Sequence, residues 1–307
     1  MDTTSLPYFY TTSRVNLRAA STVVVSVVFT FLAVGCSDTS AGTSSEEQSA
    51  SDIFACSEEM GELRSNFYLN NLLISPQGEL EAAELSGTDL SHVDLHQTNL
   101  GSSDLVGTNL SGSCLRWADL SGADLTDANL EGADLRNAKL FYQDAVLSNT
   151  NLKGALLTDL YLGLYIKNSD FSGADLSGTD FQCGDFAGFI RDSNFTESNL
   201  TETDMFNCDL RGTNFNRANL TDADMTIADM TDAHLAGANL TGANLNSSKL
   251  AGADLSGADL TSADLTRAYL TDADLTNANL TGANISGADL TGATLKGTTM
   301  PDGSIHK

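Results

Sequence analysis

The sequence is poor in several residue types, and each shortage narrows the choice of structure. Among 307 residues there are 3 prolines and a single tryptophan, and aromatic residues make up only 7%. A folded core without large rings must be thin and built of small and medium side chains. Basic residues are also scarce, since 15 lysines and arginines stand against 41 acidic residues, which gives a net charge of −26. Nucleic acid, itself a polyanion, is therefore not an expected ligand.

A hydrophobic leader occupies residues 1–35. Arg14 and Arg18 precede an uncharged, mostly apolar run, 19–35, which ends in Leu-Ala-Val-Gly before Cys36. This ending resembles the lipobox of bacterial lipoproteins, although the leucine stands four residues before the cysteine instead of three. The resemblance implies that residues 1–35 are a signal peptide that is removed, and that the Cys36 sulfur carries diacylglycerol. An uncleaved membrane anchor and a buried core segment are the alternatives.

The segment 36–51 contains the lipidation candidate Cys36 and then a linker without a large apolar side chain. Such a segment buries nothing and behaves as a flexible tether. By the same resemblance, Ser37 after the cysteine implies sorting to the outer membrane where the host has one. The predicted location is the bacterial cell envelope, with the chain held to the bilayer by lipid and its folded part facing the periplasm or the cell surface.

Residues 52–77 have the apolar spacing of an amphipathic helix followed by a turn. Five apolar residues alternate steps of three and four: Ile53, Cys56, Met60, Leu63 and Phe67. The pattern predicts a helix over 52–68 that covers the N-terminal end of whatever follows. Ser75-Pro76-Gln77-Gly78 then predicts a turn.

A five-residue repeat fills the chain from about 78 to 300. Between Phe195 and Met300 all 22 central positions are Leu, Phe, Met or Ile, and 15 of the 22 residues two places earlier are alanine. The pattern A-[D/N]-L-x-x, as in Ala123-Asp124-Leu125, resembles the pentapeptide-repeat family. The resemblance implies an all-β fold, a right-handed quadrilateral β-helix of about 11 coils, with 301–307 as a C-terminal tail. A stub of this length covers the last coil poorly, which is compatible with a homodimer through the C-terminal end.

The register of the repeat breaks between residues 141 and 195, which we call the irregular segment. Central positions jump from Leu140 to Leu147, from Leu162 to Phe171, and from Phe186 to Phe195. Aromatic residues concentrate there, and they are the candidate interaction patch: Phe141, Tyr142, Tyr161, Tyr165 and Phe189. Outward rings would form an apolar binding surface for another protein, whereas inward rings would plug the distortion.

No residue group in the sequence predicts catalysis, a cofactor or a metal site. Acidic pairs are abundant only because every repeat offers Asp or Asn at the same outward position, and the five cysteines have no CxxC spacing. Cys208 occupies an inward position, while Cys114 and Cys183 fall at outward positions several layers apart. We therefore expect no disulfide framework.

Two functions fit these observations. The first is a non-enzymatic, envelope-anchored structural or protein-interaction module, a rigid acidic rod that presents a face to an unidentified protein partner. The alternative follows from the family resemblance, because some pentapeptide-repeat proteins are acidic rods that mimic DNA and inhibit gyrase-like topoisomerases. That alternative requires a cytoplasmic protein, and so it holds only if the signal-peptide interpretation is wrong.

Overall fold

The computed structural model describes residues 63–140, 145–162, 165–181, 183 and 190–307, with the backbone alone for Tyr165. All of them belong to one compact unit, Gln48–Lys307. The predicted leader, Cys36, the linker and most of the predicted helix lie outside the described residues, as do Phe141, Tyr142 and Phe189. Within the described ranges, no helix has the length and apolar character needed to cross a bilayer.

The body of the protein is a ladder of parallel main-chain bridges. In its regular blocks one bridge falls at every fifth residue, and each joins a residue to the one 20 further along, as in Asn219↔Asn239↔Asp259. The residue after each bridge donates its N–H across the same step, for example Leu240 N to Asp259 O at 2.7 Å. Neighbouring layers are thus 20 residues apart along the chain, and the backbone polar groups are satisfied from layer to layer.

Each repeat places two side chains in the core and one outside. Ala238 and Leu240 are exposed by 1% and 0%, whereas Asn239 between them lies outside and its Oδ1 accepts the Thr241 N–H at 3.1 Å. This local contact explains the preference for Asp or Asn. The next residue, Gly242, has a φ of 69°, and a Cβ there would lie 2.2 Å from Asp222 Oδ1. Glycine suits this corner because it adopts a positive φ without strain and leaves room for the Asp222 carboxylate of the preceding layer.

The N-terminal helix prediction is wrong for the part that is described. Strand β1 (Phe67–Leu69) and strand β2 (Leu72–Ile74) form an antiparallel hairpin. Asn70 and Asn71 join them with φ values of 49° and 68°, the left-handed conformation of a two-residue hairpin turn that asparagine tolerates. Ile74 is fully buried, and Phe67, Leu69 and Leu72 pack against the core, so a hairpin covers this end of the ladder.

The irregular segment contains a small parallel sheet. Its strands are β3 (Val146–Ser148), β4 (Tyr165–Lys167) and β5 (Ile190–Arg191), in the order β3-β4-β5. Ile166 and Ile190 are buried at 0% and 1% exposure and occupy core positions that the predicted register omitted. The layer step is therefore 22 residues at Asn129↔Asn151, 19 at Asn151↔Asp170 and 24 at Asp170↔Asn194. The longest step is produced by extra residues between 181 and 190. The sequence analysis had placed this break in the register between 186 and 195.

Phenylalanines fill the core beside this segment. Phe171 stacks on Phe195 with ring centroids 4.6 Å apart, and Phe195 stacks on Phe215 at 5.3 Å. Phe181 meets Phe195 edge-on at 6.3 Å. These rings stand where most repeats have leucine, and their contacts keep the core continuous through the change of register.

The C-terminal tail folds back on the last layer. Thr299 bridges Ile305 in antiparallel fashion, and Met300 N donates to Ser304 O at 2.7 Å. The tail thus pairs with the end of the repeat over 297–300. Leu290 and Leu295, elsewhere in the same layer, remain only half-buried.

Candidate interaction face

The predicted aromatic patch is described only in part. Tyr161 has a side chain that is 55% exposed, and Tyr165 begins strand β4. The other three members of the patch lie outside the described residues. The patch as a whole therefore stays a prediction. Tyr161 is the member whose surroundings on the surface are described.

Tyr161 heads a column of outward residues on successive layers. The bridges run Tyr161↔Asp180, Asp180↔Asp204 and Asp204↔Asp224. Paired strands lie about 4.8 Å apart, so like charges follow one another at short distance. Partial desolvation, and then the charges of Asp180 and Asp224, raise the pKa of Asp204. The column is therefore a site of concentrated negative potential.

Two exposed apolar residues flank this column. Phe206 and Ile227 are exposed by 41% and 40%, and they follow Asp204 and Asp224 in the same two repeats. We define the Tyr161 face by six residues: Tyr161, Asp180, Asp204, Phe206, Asp224 and Ile227. Among the described residues of the repeat body, four large apolar side chains are exposed (Tyr161, Phe206, Ile227 and Tyr269), and three of them belong to this face.

Ile227 also occupies an unfavourable backbone conformation. Its φ is 53°, and among the described non-glycine residues with positive φ it is the one with a branched Cβ. A left-handed conformation costs an L-residue roughly 1–2 kcal/mol. The sequence analysis missed Phe206 and Ile227 because both stand at variable positions of the repeat. The available signal was a β-branched residue at a corner where the other described repeats have glycine or an unbranched side chain.

An ion-pair cluster surrounds Asp209, one repeat after Asp204. Arg191 Nε and Arg211 Nη2 both donate to Asp209 Oδ2, at 2.7 and 2.8 Å. Burial acts to raise the pKa of Asp209, but the hydrogen bonds from Arg211 and Arg191 outweigh it and hold the pKa well below its ordinary value. A cleft of about 390 Å³ adjoins the cluster and is lined by Arg191, Asp192, Arg211, Gly212, Thr231 and Asp232.

The cleft has no catalytic arrangement. Its one hydroxyl belongs to Thr231, which donates to Asp229 Oδ1 at 2.6 Å, and the same contact recurs in other repeats, as between Thr241 and Asn239. It is thus a feature of the repeat, not a nucleophile beside a base. Across the described ranges, no group of His, Cys, Asp or Glu is arranged to hold a metal ion.

Cys208 is inward as predicted, but the predictions that Cys183 faces outward and that disulfides are absent are wrong. Cys183 and Cys208 form a disulfide across a sequence separation of 25, and both are buried, at 2% and 1% exposure. The residues added between 181 and 190 lengthen this layer to 24, which brings Cys183 over Cys208 instead of leaving it outward. Cys114, also predicted to face outward, is fully buried and disulfide-bonded as well.

The repeat region matches the model of a known protein family. A model described as Pentapeptide repeats matches in 8 copies, over residues 83–122, 113–141, 165–189, 191–226, 228–267 and 258–297. Together these ranges cover more than half of the chain. A search of curated protein sequences gives no significant match.

Several solved structures are similar. HetL, a pentapeptide repeat protein involved in the regulation of heterocyst differentiation in the cyanobacterium Nostoc sp. strain PCC 7120, is 32% identical, and the match covers 82% of this chain and 98% of HetL with a TM-score of 0.43. A pentapeptide repeat protein of the Arabidopsis thaliana thylakoid lumen is 36% identical over 32% of this chain and 69% of its own, with a TM-score of 0.30. QnrB1, a plasmid-mediated fluoroquinolone resistance protein, is 21% identical over 71% of this chain and 91% of its own, with a TM-score of 0.25.

Proposed function

This chain belongs to the pentapeptide-repeat family, and we propose that it is a non-enzymatic protein-interaction module, anchored in a bacterial cell envelope by lipid on Cys36. The Cys183–Cys208 disulfide carries the proposal. Disulfides persist in oxidising compartments such as the periplasm and the cell surface, and they are rare in the cytosol. The disulfide thus supports export independently of the leader 1–35, whose charged start and apolar run are typical of a signal peptide.

Fractionation of cells tests the anchoring. The wild-type chain should sediment with membranes and enter the detergent phase, and Cys36→Ala should shift it to the soluble fraction or leave it unprocessed. Cys56→Ala is the matched control, because it removes a cysteine outside the lipobox and should leave the distribution unchanged. Wild-type protein in the soluble cytosol would contradict the proposal.

We propose further that four sides close each layer into a right-handed quadrilateral β-helix of about eleven coils. The 20-residue step of the bridges supports four repeats to a coil. Removal of residues 228–247 deletes one such step and should leave a folded protein with a cooperative thermal transition. Removal of residues 228–242 deletes three repeats, breaks the alignment of the sides, and should give a markedly less stable chain. Equal stability of the two deletions would contradict the four-sided coil.

The open C-terminal layer favours a homodimer. Deeper in the ladder the central residues donate their N–H groups to the following layer, whereas the N–H groups of Leu290 and Leu295 make no main-chain hydrogen bond within the described part of the chain. An exposed set of strand donors beside half-buried leucines is suited to pairing with a second copy. Light scattering of the purified chain should give a dimer, and Leu290→Arg should give a monomer. A wild-type monomer at all concentrations would contradict this arrangement.

The alternative function is that of a cytoplasmic DNA mimic that inhibits a gyrase-like topoisomerase. The stacked carboxylates of Asp180, Asp204 and Asp224 favour it, because a rod of regular negative charge resembles a polyanion. The test is a supercoiling assay with purified gyrase. Inhibition that depends on these carboxylates, together with a cytosolic location, would favour the alternative over the envelope module.

A further inference from the structure

The Tyr161 face combines apolar exposure with negative charge in a small area. Tyr161, Phe206 and Ile227 are exposed by 55%, 41% and 40%, and the bridges place them within four successive layers. At about 4.8 Å per layer they span roughly 14 Å along the ladder. Large apolar side chains gathered in this way on a protein with a net charge of −26 mark a contact surface for another molecule.

The conformation of Ile227 adds to this observation. Equivalent corners of other repeats also have positive φ, and they carry Gly, Asn and Asp as well as Ser, Glu and Arg, but among the described residues only Ile227 has a branched Cβ there. Ile227 gains less from burial than the central residues of the repeats, because its side chain is 40% exposed. The structure therefore carries a strained apolar residue whose benefit to folding is less than that of a central residue.

The charges define what the partner must supply. Asp180, Asp204 and Asp224 stand on consecutive layers, and their mutual repulsion is relieved by cations. A second acidic surface would be repelled, and a purely apolar surface would desolvate these carboxylates without supplying a counter-charge. A partner with lysine or arginine beside apolar side chains satisfies both parts of the face.

The spacing favours a helix over an extended strand as the partner. The three carboxylates span two layer steps, about 9.6 Å. Two turns of an α-helix rise about 10.8 Å, so residues on one helical stripe follow the carboxylates closely. Alternate side chains of a strand would cover about 13 Å in the same two steps, and they would drift out of register.

We propose that the Tyr161 face docks a cationic amphipathic helix of a partner protein, with its Lys or Arg side chains on the Asp180–Asp204–Asp224 column and its apolar side chains on Phe206 and Ile227. This inference rests on the proposed function, since it specifies the partner class of the interaction module. The contact does not involve Cys36, and so binding can be measured apart from anchoring.

The test uses a short synthetic amphipathic helix of leucine and lysine as the probe and the full chain as the receptor. Fluorescence anisotropy at physiological ionic strength measures the Kd. Two further peptides separate the contributions: one replaces every leucine with serine, and the other replaces every lysine with glutamate. We expect measurable binding of the leucine–lysine helix, weaker binding of the serine–lysine peptide, and no binding of the acidic peptide.

Matched variants locate the contact. Asp204→Asn with Asp224→Asn should weaken binding about tenfold, which is the loss of two exposed charge pairs. The control double variant is Asp254→Asn with Asp274→Asn. Those two aspartates also bridge each other on neighbouring layers but lie outside the Tyr161 face, so the control should bind within about twofold of wild type.

The apolar half has its own control. Phe206→Ser should weaken binding several-fold, whereas Tyr269→Ser, which removes a side chain that is 53% exposed elsewhere on the rod, should not. Thermal unfolding of each variant verifies that it is folded. The proposal is overturned if the control double variant weakens binding as much as the test pair, if the serine–lysine peptide binds as tightly as the leucine–lysine helix, or if the wild-type chain binds neither.

These outcomes are distinguishable from a failure of the proposed function. If the chain is found in the cytosol but discriminates the peptides as described, the anchoring is wrong and the face is correct. If the chain is anchored but the control variants behave like the test variants, the module binds through a different surface and the Tyr161 face is wrong.

Discussion

Lys249 stands one layer from Asp229, and its Nζ lies 3.2 Å from Asp229 Oδ2. The two residues are also bridge partners, in a column that continues from Asp209 and runs on to Tyr269 and Asp289. Burial acts to raise the pKa of Asp229, but hydrogen bonds from Thr231 and Lys249 outweigh it and lower that pKa. The charge of Lys249 thus relieves part of the repulsion between the stacked carboxylates of this column.

Reversal of this charge should destabilise the ladder in a salt-dependent way. Lys249→Glu places three acidic residues in succession, and at low ionic strength we expect a loss of roughly 0.5–1 kcal/mol, since the pair is exposed. High salt should remove most of the difference. Denaturant titrations at two ionic strengths measure it, with Lys249→Gln as the control that removes attraction without adding repulsion. An effect of equal size at both ionic strengths would contradict the stacking.

This column could be predicted from the sequence because it follows from the period. A five-residue repeat with four repeats to a layer aligns Asp209, Asp229, Lys249, Tyr269 and Asp289, and the bridges confirm that alignment. The inward positions of Leu240 and Ala238 were predictable for the same reason, since their size and spacing repeat without interruption. A regular pattern carries enough copies to average out the variation of single residues.

The features that the sequence did not predict lie in segments where the five-residue period is absent or interrupted. Phe67 continued a helical spacing by chance, and the two-residue turn at Asn70-Asn71 decided the hairpin instead. Within the irregular segment, Ile166 and Ile190 were passed over because each follows an insertion or a deletion. The same shift hid the approach of Cys183 to Cys208, which depends on a loop length and not on residue type.

The pH dependence of stability should reveal the Asp209 cluster. Its pKa in the folded state is depressed by Arg211 and Arg191 against the opposing effect of burial. The stabilisation is therefore complete above the ordinary aspartate pKa, about 3.9, and it is lost as the pH falls from there toward the folded value. Asp209→Asn should lower the free energy of unfolding by roughly 1–3 kcal/mol at neutral pH and by much less near pH 2.

Thermal unfolding of both proteins from neutral pH to about pH 2 checks this prediction. Asp289→Asn is the control, because Asp289 lies in the same column without an arginine partner among the described ion pairs. If the difference in stability between Asp209→Asn and wild type is the same at every pH, the arginine contacts do not stabilise the fold.

Relief of strain at Ile227 should stabilise the protein. Ile227→Asn places at a φ of 53° a residue that adopts left-handed backbone readily, and we expect a gain of about 1 kcal/mol. Thr226→Asn, at the neighbouring position with ordinary backbone, should give no gain. A loss of stability in Ile227→Asn would mean that its side chain packs usefully and that strain is not the dominant effect.

Loss of the disulfide should destabilise the layers around the irregular segment. Cys183→Ala with Cys208→Ala removes a link across 25 residues, and loop-closure entropy predicts a cost of about 3.5 kcal/mol. Alanine suits Cys208 because it fills the equivalent inward position in most repeats, and it is a small replacement for the buried Cys183. Denaturant unfolding of oxidised wild type and variant gives the difference, and unchanged midpoints would show that the link is not formed in solution.

The mass of the mature N-terminal peptide tests the account most directly, because an exported, anchored module and a cytoplasmic DNA mimic require different N-termini. Purified from membranes, the chain should begin at Cys36 and carry the added mass of diacylglycerol. Cys36→Ala should yield no such species. A chain that begins at Met1, without lipid and in the soluble cytosolic fraction, would contradict the proposed function.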